Sequence, residues 1–372
     1  MNKILVFGIT DNPGGMESVI MNYYKNIDKT KVQFDFLCNT EKVAYENEII
    51  ALGGNIFRIT ARSNNIKKYR KEMKGFFSAN AKKYSAIWVN LCSLANIDYL
   101  KYAKKYGIKY RIIHSHNSEN DTTFLRAILH KNNKRIIQKY ATDFWACSDE
   151  AGKWFYSKEI LDSHKYRIVN NAIDVEKYRF REECRKKYRK DFGLENKIVI
   201  GNVGRFHFQK NHEFLIEIFA ELRKKYDNVQ LVLVGQGELQ NHIKDKVNKL
   251  GLNDFVTFLG VRNDIAGIMN AMDIFLFPSL FEGMPLVLIE AQASALPCVV
   301  SKDAIPEKVK MTDQLMFIPL EKEASYWADK ISDIIDNLEI SNRKNINIRG
   351  ILECGYDIKT EVEKLEKFFG RK

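Results

Sequence analysis

The sequence predicts an α/β protein of two domains, each a parallel β-sheet covered by helices. Three observations predict it. The chain has 372 residues, more than one ordinary hydrophobic core sustains. Short apolar runs of strand character alternate with helical segments along its whole length, the pattern that places helices on both faces of a parallel sheet. From Asn170 to Asn196 the composition changes. Turn-like Asn170-Asn171-Ala172-Ile173-Asp174 leads into a stretch dense in Arg, Lys and Glu from Tyr178 to Asp191, and a second strand and helix series starts at Lys197. The interdomain connection is expected there.

In the first series Lys3–Ile9 reads as a buried strand. A turn-rich loop, Thr10-Asp11-Asn12-Pro13-Gly14-Gly15, follows, and then a helix on which Met16, Val19, Ile20, Tyr23 and Ile27 recur at helical spacing. Strand, glycine loop and helix is how nucleotide-binding α/β domains open. Gly14-Gly15 is nonetheless neither the dinucleotide fingerprint nor a Walker loop, and a tight turn explains it equally well. Further strands are expected at Gln33–Leu37, Ala86–Leu91, Tyr110–Ile113, Asp143–Cys147 and Arg167–Val169. Ligands of such sheets bind beyond the carboxyl ends of the strands. One such end carries His114-Ser115-His116-Asn117-Ser118. His114 and His116 share a side if the strand continues. No third ligand accompanies them for a metal. A base or acceptor-orienting role fits imidazole chemistry, and a hydrogen-bonded histidine at a strand end is the structural alternative.

In the second series Lys197–Gly204 supplies the first strand, and Arg205 and Lys210 flank the loop into a helix from about Glu213. An Arg fork beside a compact Lys suits a diphosphate, although two loop cations are also commonly just solvated. Val229–Val234 is a strand, turned by Gly235-Gln236-Gly237-Glu238 into a helix that ends near Leu250. Phe255–Leu259 is the next strand, with Asp264 expected to cap the helix after its exit loop. Met272–Phe277 then runs into Phe281-Glu282-Gly283-Met284-Pro285-Leu286, and Glu290 follows Glu282 by eight positions. Pro285 suits the first position of a helix. Free backbone N–H groups after Gly283 favour an anion, which flanking carboxylates would repel. The two are compatible if Glu282 and Glu290 accept hydrogen bonds from sugar hydroxyls while amides and other residues take phosphates; otherwise they are a loop acid and a helix acid. Pro297–Val300 and Leu315–Ile318 are strands, Glu323–Leu338 a helix, and Ile358–Phe369 a terminal amphipathic helix.

A composition of 45% hydrophobic and 28% charged residues excludes large-scale disorder. The first apolar run is too short for a signal sequence, and no stretch is long and apolar enough to span a bilayer. Six cysteines without paired or metal-type spacing read as reduced thiols of a cytoplasmic protein. The net charge of +12 is confined to residues 1–170, which hold 28 Lys+Arg against 16 Asp+Glu, while the remainder holds 31 of each. An anionic membrane surface, a nucleic acid, or simple solvation could each account for it. Nucleic acid is disfavoured, because neither a basic helix nor an aromatic-rich motif accompanies the charge.

Read together, Gly204-Arg205 with Lys210, Gly235-Gln236-Gly237, Pro278-Ser279 and Glu282 to Glu290-Ala291 resemble the retaining glycosyltransferases of family 4, within the branch that builds bacterial capsular and exopolysaccharides. Gly14-Gly15 and His114-Ser115-His116-Asn117 agree more loosely. The resemblance implies a GT-B architecture: two Rossmann-like domains facing across a cleft, with residues 1–170 plus 354–372 binding acceptor and 171–353 binding a UDP-linked nucleotide sugar. It implies Arg205 and Lys210 on the diphosphate, Glu282 with Gly283, Met284, Pro285 and Leu286 about the sugar, and Glu290 on the ribose. Val261 and Arg262 would lie near the base, Gly14 and Gly15 beneath the donor phosphates, and His116 or His114, with Asn117, on the acceptor side. No cofactor or metal is expected, and the chain contains no Asp-x-Asp pair. The expected partners are a nucleotide sugar, a lipid-linked saccharide acceptor and the inner face of the cell membrane. A nucleotide-sugar epimerase on the same fold and a non-enzymatic sugar-binding protein are the alternatives. Glu282-Gly283-Met284-Pro285 departs from the Glu-Ser-Phe-Gly of many members, which bears on sugar identity.

Overall fold

The computed structural model describes residues 1–117, 123–345 and 347–371, and the chain divides into two units, Met1–Ala172 with Ile358–Lys372, and Ile173–Asp357. The first unit holds strands β1 (Asn2–Phe7), β2 (Val32–Cys38), β3 (Ile56–Arg58), β4 (Ala86–Leu91), β5 (Tyr110–Ser115), β6 (Asp143–Ala146) and β7 (Tyr166–Ile168). All neighbours pair parallel, in the order β3-β2-β1-β4-β5-β6-β7. The central strands are near-continuous apolar runs because both faces are covered. Leu5, Ile87, Val89 and Ile113 pack with Tyr69, Met73, Phe77 and Leu100 on one side. On the other, Trp88 and Trp145 meet Phe369 of helix Ile358–Phe369 at ring separations of 6.4 and 6.1 Å. That contact explains why the last helix belongs with the first sheet. Its end is tied down by the Asn2 amide donating to the Phe369 carbonyl at 2.8 Å.

The second unit holds β8 (Ile198–Val203), β9 (Val229–Val234), β10 (Val256–Gly260), β11 (Ile274–Phe277), β12 (Cys298–Ser301) and β13 (Leu315–Ile318), also parallel, in the order β10-β9-β8-β11-β12-β13. Asp273, buried at the start of β11, accepts from the Val199 N–H at 2.8 Å and from Arg185 and Arg189 at 2.5 and 3.1 Å. This network locks β11 against β8 at the end opposite the carboxyl termini. In each sheet the strand order reverses once, beside β1 and beside β8, and ligands of open α/β sheets bind outside the strand ends at such a reversal.

Several elements differ from expectation. β5 continues to Ser115, so His114 lies within the sheet, paired in register with Asn90 and Trp145. β3 is only three residues long, too short to leave a periodic signal. Pro285 is the N-cap of helix Leu286–Ala293 rather than its first residue, with ψ of 104° holding the chain extended. Asp264 occupies the N-cap of helix Ile265–Ala271 without a side-chain capping bond, because its carboxylate is taken by Arg262. Among the described residues no helix is long and apolar enough to cross a membrane.

Candidate active site

The loops after β8 and β11, the two strands at the reversal, are stitched together. The Leu280 N–H donates to the Gln209 carbonyl at 2.8 Å, the Gln209 amide donates to the Phe281 carbonyl at 2.8 Å, and the Asn211 amide to the Pro278 carbonyl at 3.1 Å. Asn211 adopts φ of 52°, the left-handed region that Asn tolerates, and this turns the short 3-10 segment Phe208–Lys210 into helix His212–Arg223. Glu282 is held through its own N–H, which donates to the Ala304 carbonyl at 2.8 Å.

This scaffold brings Lys210 Nζ to 2.6 Å from Glu282 Oε1, with side chains 18% and 7% exposed. The Gln209 amide reaches Glu282 Oε2 at 3.3 Å, and the ammonium sits 4.7 Å over the Phe277 ring. An ammonium has three donors, and one is committed to Glu282. Immediately downstream, a Cβ on Gly283 would meet nothing within 4 Å, so the backbone there is open to a ligand. Met284 and Leu286 are half-buried and Pro285 is buried, and with Leu286 begins the helix whose first amides carry partial positive charge.

Arg205 is exposed and pairs with Glu238 at 3.1 Å, while His207 Nε2 lies 3.5 Å from the same carboxylate. The Arg205 loop and the Gly235–Glu238 turn can touch because Gly235 has no side chain. Its φ is +131°, and a Cβ there would stand 2.0 Å from the Gly204 carbonyl oxygen. Glu290, one helical turn and more beyond Leu286, accepts a 2.7 Å hydrogen bond from the Tyr178 hydroxyl. Burial raises its carboxyl to about 7 although the Tyr178 bond favours the charged form, and burial together with Glu290 drives the phenol well above its usual range. Val261 is exposed, and Arg262 is folded onto Asp264 at 2.9 and 2.7 Å, which holds the Asp264 carboxyl below its usual range. The structure thus joins Lys210 to Glu282 directly and gives Arg205 a different acidic partner.

In the first unit, Gly14 is the N-cap of helix Gly15–Asn26, and a Cβ there would meet the Glu17 carboxylate at 2.9 Å, whereas one on Gly15 would meet nothing. Glu17 is buried and accepts from the Thr10 hydroxyl at 2.6 Å. Asn90, at the end of β4, donates to the Phe7 carbonyl at 3.2 Å, which directs its amide oxygen to His116 Nε2 at 2.8 Å. That nitrogen therefore carries the proton, and Nδ1 is the acceptor. Burial lowers the His116 imidazole to about 3, so it is neutral at ordinary pH. His114 is fully buried, stacked on Trp88 with ring centroids 5.8 Å apart and 4.1 Å from the His116 ring, and among the described residues neither of its nitrogens has a partner. Burial holds it neutral too, with His116 a second cause. Asn117 is exposed, its carbonyl accepting from Ser115 at 3.3 Å, and Ser118 lies outside the described residues. A polar hollow of about 770 Å³ opens near the ends of β2 and β3, lined by Asp11, Thr40, Arg58, Asn64, Lys68 and Glu72 among others.

Sequence reasoning missed Gln209, Tyr178, Asn90 and Glu17 as partners of the residues it named. Asn90 alone left a usable signal, as the one polar residue inside the apolar run Ala86–Leu91.

The family model described as Glycosyl transferases group 1 matches residues 197–337. The putative glycosyltransferase EpsF of Bacillus subtilis is 34% identical over 337 residues, which span 86% of this chain and 84% of that protein. The UDP-Gal:alpha-D-GlcNAc-diphosphoundecaprenol alpha-1,3-galactosyltransferase of Escherichia coli is 27% identical over 296 residues, 70% of this chain and 75% of that protein. Among solved structures, that of Anabaena HepE in complex with UDP and glucose superposes with a TM-score of 0.76 at 18% identity, covering 100% of both chains.

Proposed function

The chain belongs to the group 1 glycosyltransferases, and from that premise we propose that it transfers a hexose or amino-hexose from a UDP-linked sugar to a lipid-linked oligosaccharide, with retention of anomeric configuration, in capsule or exopolysaccharide assembly. The observation that carries the reading is the Lys210–Glu282 pair at the strand-order reversal, beside an open backbone and a helix start. The acceptor and donor classes draw on the name of the E. coli relative, which uses UDP-Gal and a diphosphoundecaprenol-linked sugar, and on HepE, which binds UDP.

In this reading the bond from the anomeric carbon to the phosphate oxygen breaks, and the electron pair leaves with the diphosphate. The developing charge meets the two free donors of Lys210 and the first amides of helix Leu286–Ala293, which are in place before the reaction, and the exposed Arg205 guanidinium, which leaves Glu238 to join them, so that the charge is met without a metal. Glu282 accepts from a sugar hydroxyl and at the same time aims Lys210. The acceptor hydroxyl forms the new bond on the face the diphosphate leaves, and its proton passes to the departing phosphate oxygen. Neutral His116 offers Nδ1 to an acceptor hydroxyl, and Glu290 takes the ribose hydroxyls. The protein works at the cytoplasmic membrane face as a peripheral enzyme.

The test is purified protein given a panel of nucleotide sugars with and without membrane extract, following free nucleoside diphosphate and lipid-linked product. Membrane-dependent release of the diphosphate is expected. Sugar interconversion without acceptor would instead mean an epimerase, and tight binding without turnover a binding protein.

A further inference from the structure

Helix Phe124–Ile136 is amphipathic in the reverse sense. A surface helix ordinarily turns an apolar stripe to the core and polar residues to water. Here the inward side carries His130, Asn133 and Lys134 beside the half-buried Leu129 and Ile136. His130 Nδ1 accepts from the Leu94 N–H at 3.1 Å, and the Asn133 amide donates to the Leu94 carbonyl at 2.6 Å. Lys134 Nζ donates to the Lys153 and Trp154 carbonyls at 2.7 and 2.9 Å. The outward stripe carries Phe124, Leu125 and Ile128, which are 83%, 66% and 41% exposed. It continues along the same face, at helical spacing, to Lys131 and Arg135, both exposed and in no ion pair among the described residues. Scattered exposed apolar residues need no explanation, but three large ones on one face opposite a side that buries polar residues do.

We propose that this face docks on an anionic lipid surface, with Phe124, Leu125 and Ile128 entering the acyl boundary and Lys131 and Arg135 at the level of the phosphates. The dimensions agree. At the α-helical rise, Lys131 lies about 10 Å and Arg135 about 16 Å along the axis from Phe124. Interfacial helices sink about 5–10 Å, so a helix entering by its N-terminal turns leaves its cations among the headgroups. The charge agrees too. The unit that carries this helix holds 33 Lys+Arg against 19 Asp+Glu, whereas Ile173–Asp357 holds 26 against 28. Helix Phe124–Ile136 holds no carboxylate with which a second copy could pair Lys131 and Arg135, whereas lipid phosphate supplies that counter-charge. The proposal rests on the reading of a lipid-linked acceptor, for which such docking delivers the enzyme to its substrate.

The experiment is flotation of the full chain with vesicles of phosphatidylcholine, with and without phosphatidylglycerol, for the wild type, for Phe124→Ser/Leu125→Ser/Ile128→Ser, and for Lys131→Glu/Arg135→Glu. Size-exclusion profiles and UDP-induced shifts in Tm are recorded on the same samples. The wild type should bind the anionic vesicles and be weakened by salt, and each variant should bind at least about tenfold more weakly with unchanged Tm. Equal flotation of the apolar variant and the wild type overturns the proposal, as does a wild type indifferent to phosphatidylglycerol. A wild-type dimer that the apolar variant dissociates, without vesicle binding, assigns the face to a second copy and overturns it as well. The UDP response keeps the two readings separate: docking without a UDP response counts against glycosyl transfer alone, and a UDP response without docking counts against the helix alone.

Discussion

Lys210 and Glu282 can be separated into structural and catalytic contributions by a double-mutant cycle. Lys210→Met leaves Glu282, 7% exposed, with only the 3.3 Å contact from the Gln209 amide. Breaking a fully enclosed ion pair costs about 3–5 kcal/mol. Lys210 keeps 18% of its side chain in water, which softens the cost to about 2 kcal/mol. For a unit of this size, that is a fall in Tm of about 4–8 °C. Glu282→Gln should cost less, because the freed ammonium can turn to solvent. Lys210→Met/Glu282→Gln removes both charges and should restore most of the lost Tm. Turnover should not follow. Each single variant should lose at least about 10²-fold in the rate of diphosphate release, the scale of one lost electrostatic stabiliser, and the double should be no faster than the slower single. Thermal unfolding by circular dichroism and a coupled assay for the nucleoside diphosphate give both readouts from one preparation. Near-normal rates in both single variants, or a double variant that regains turnover along with Tm, would refute the reasoning and leave the pair as scaffolding.

The Glu290 carboxyl, raised by burial to about 7, contributes stability that is complete below its unfolded value near 4.5 and lost as pH rises through 7. The Tm difference between wild type and Glu290→Gln should therefore change between pH 5 and pH 8, by up to about 3 kcal/mol in free energy, and a constant difference would contradict the assignment. Tyr178→Phe removes the bond that favours the carboxylate and should push that transition to higher pH, weakening UDP binding at pH 7 in titration calorimetry; unaltered affinity would count against it. His116, lowered by burial to about 3, should show no imidazole titration between pH 5 and pH 8 in NMR spectra, and a midpoint near 6.5 would contradict its packing. Gly235→Ala should lower Tm by several degrees at least, since the new Cβ collides with the Gly204 carbonyl; an unchanged Tm would mean that the turn relaxes freely.

Both sheets were legible because parallel strands buried on both faces announce themselves as apolar runs. Ala86–Leu91, Val229–Val234, Leu315–Ile318 and Ile358–Phe369 have the bounds the sequence led us to expect. The partners of the site residues were not legible. Tyr178 stands 112 positions from Glu290, inside a stretch whose charge reads only as a linker. Direct pairing of Lys210 with Glu282 depends on how the loops after β8 and β11 are stitched, which no spacing encodes. The sequence reading had set cation and carboxylate apart, one for phosphate and one for hydroxyls; the structure makes each the other's positioning partner. In helix Phe124–Ile136 the apolar residues recur as they would in any core-facing helix, and only the side-chain environment reveals that Phe124, Leu125 and Ile128 point to solvent.

The central claim is that the donor is bound at the ends of β8 and β11, with its diphosphate and its sugar on opposite members of the Lys210–Glu282 pair. Its most direct test is a crystal structure of the protein with an intact UDP-sugar. The account predicts phosphate oxygens within hydrogen-bond distance of Lys210 Nζ and the Arg205 guanidinium, a sugar hydroxyl on Glu282, and the ribose on Glu290. A diphosphate bound elsewhere, with the Lys210–Glu282 contact undisturbed and neither side chain touching the donor, would contradict it.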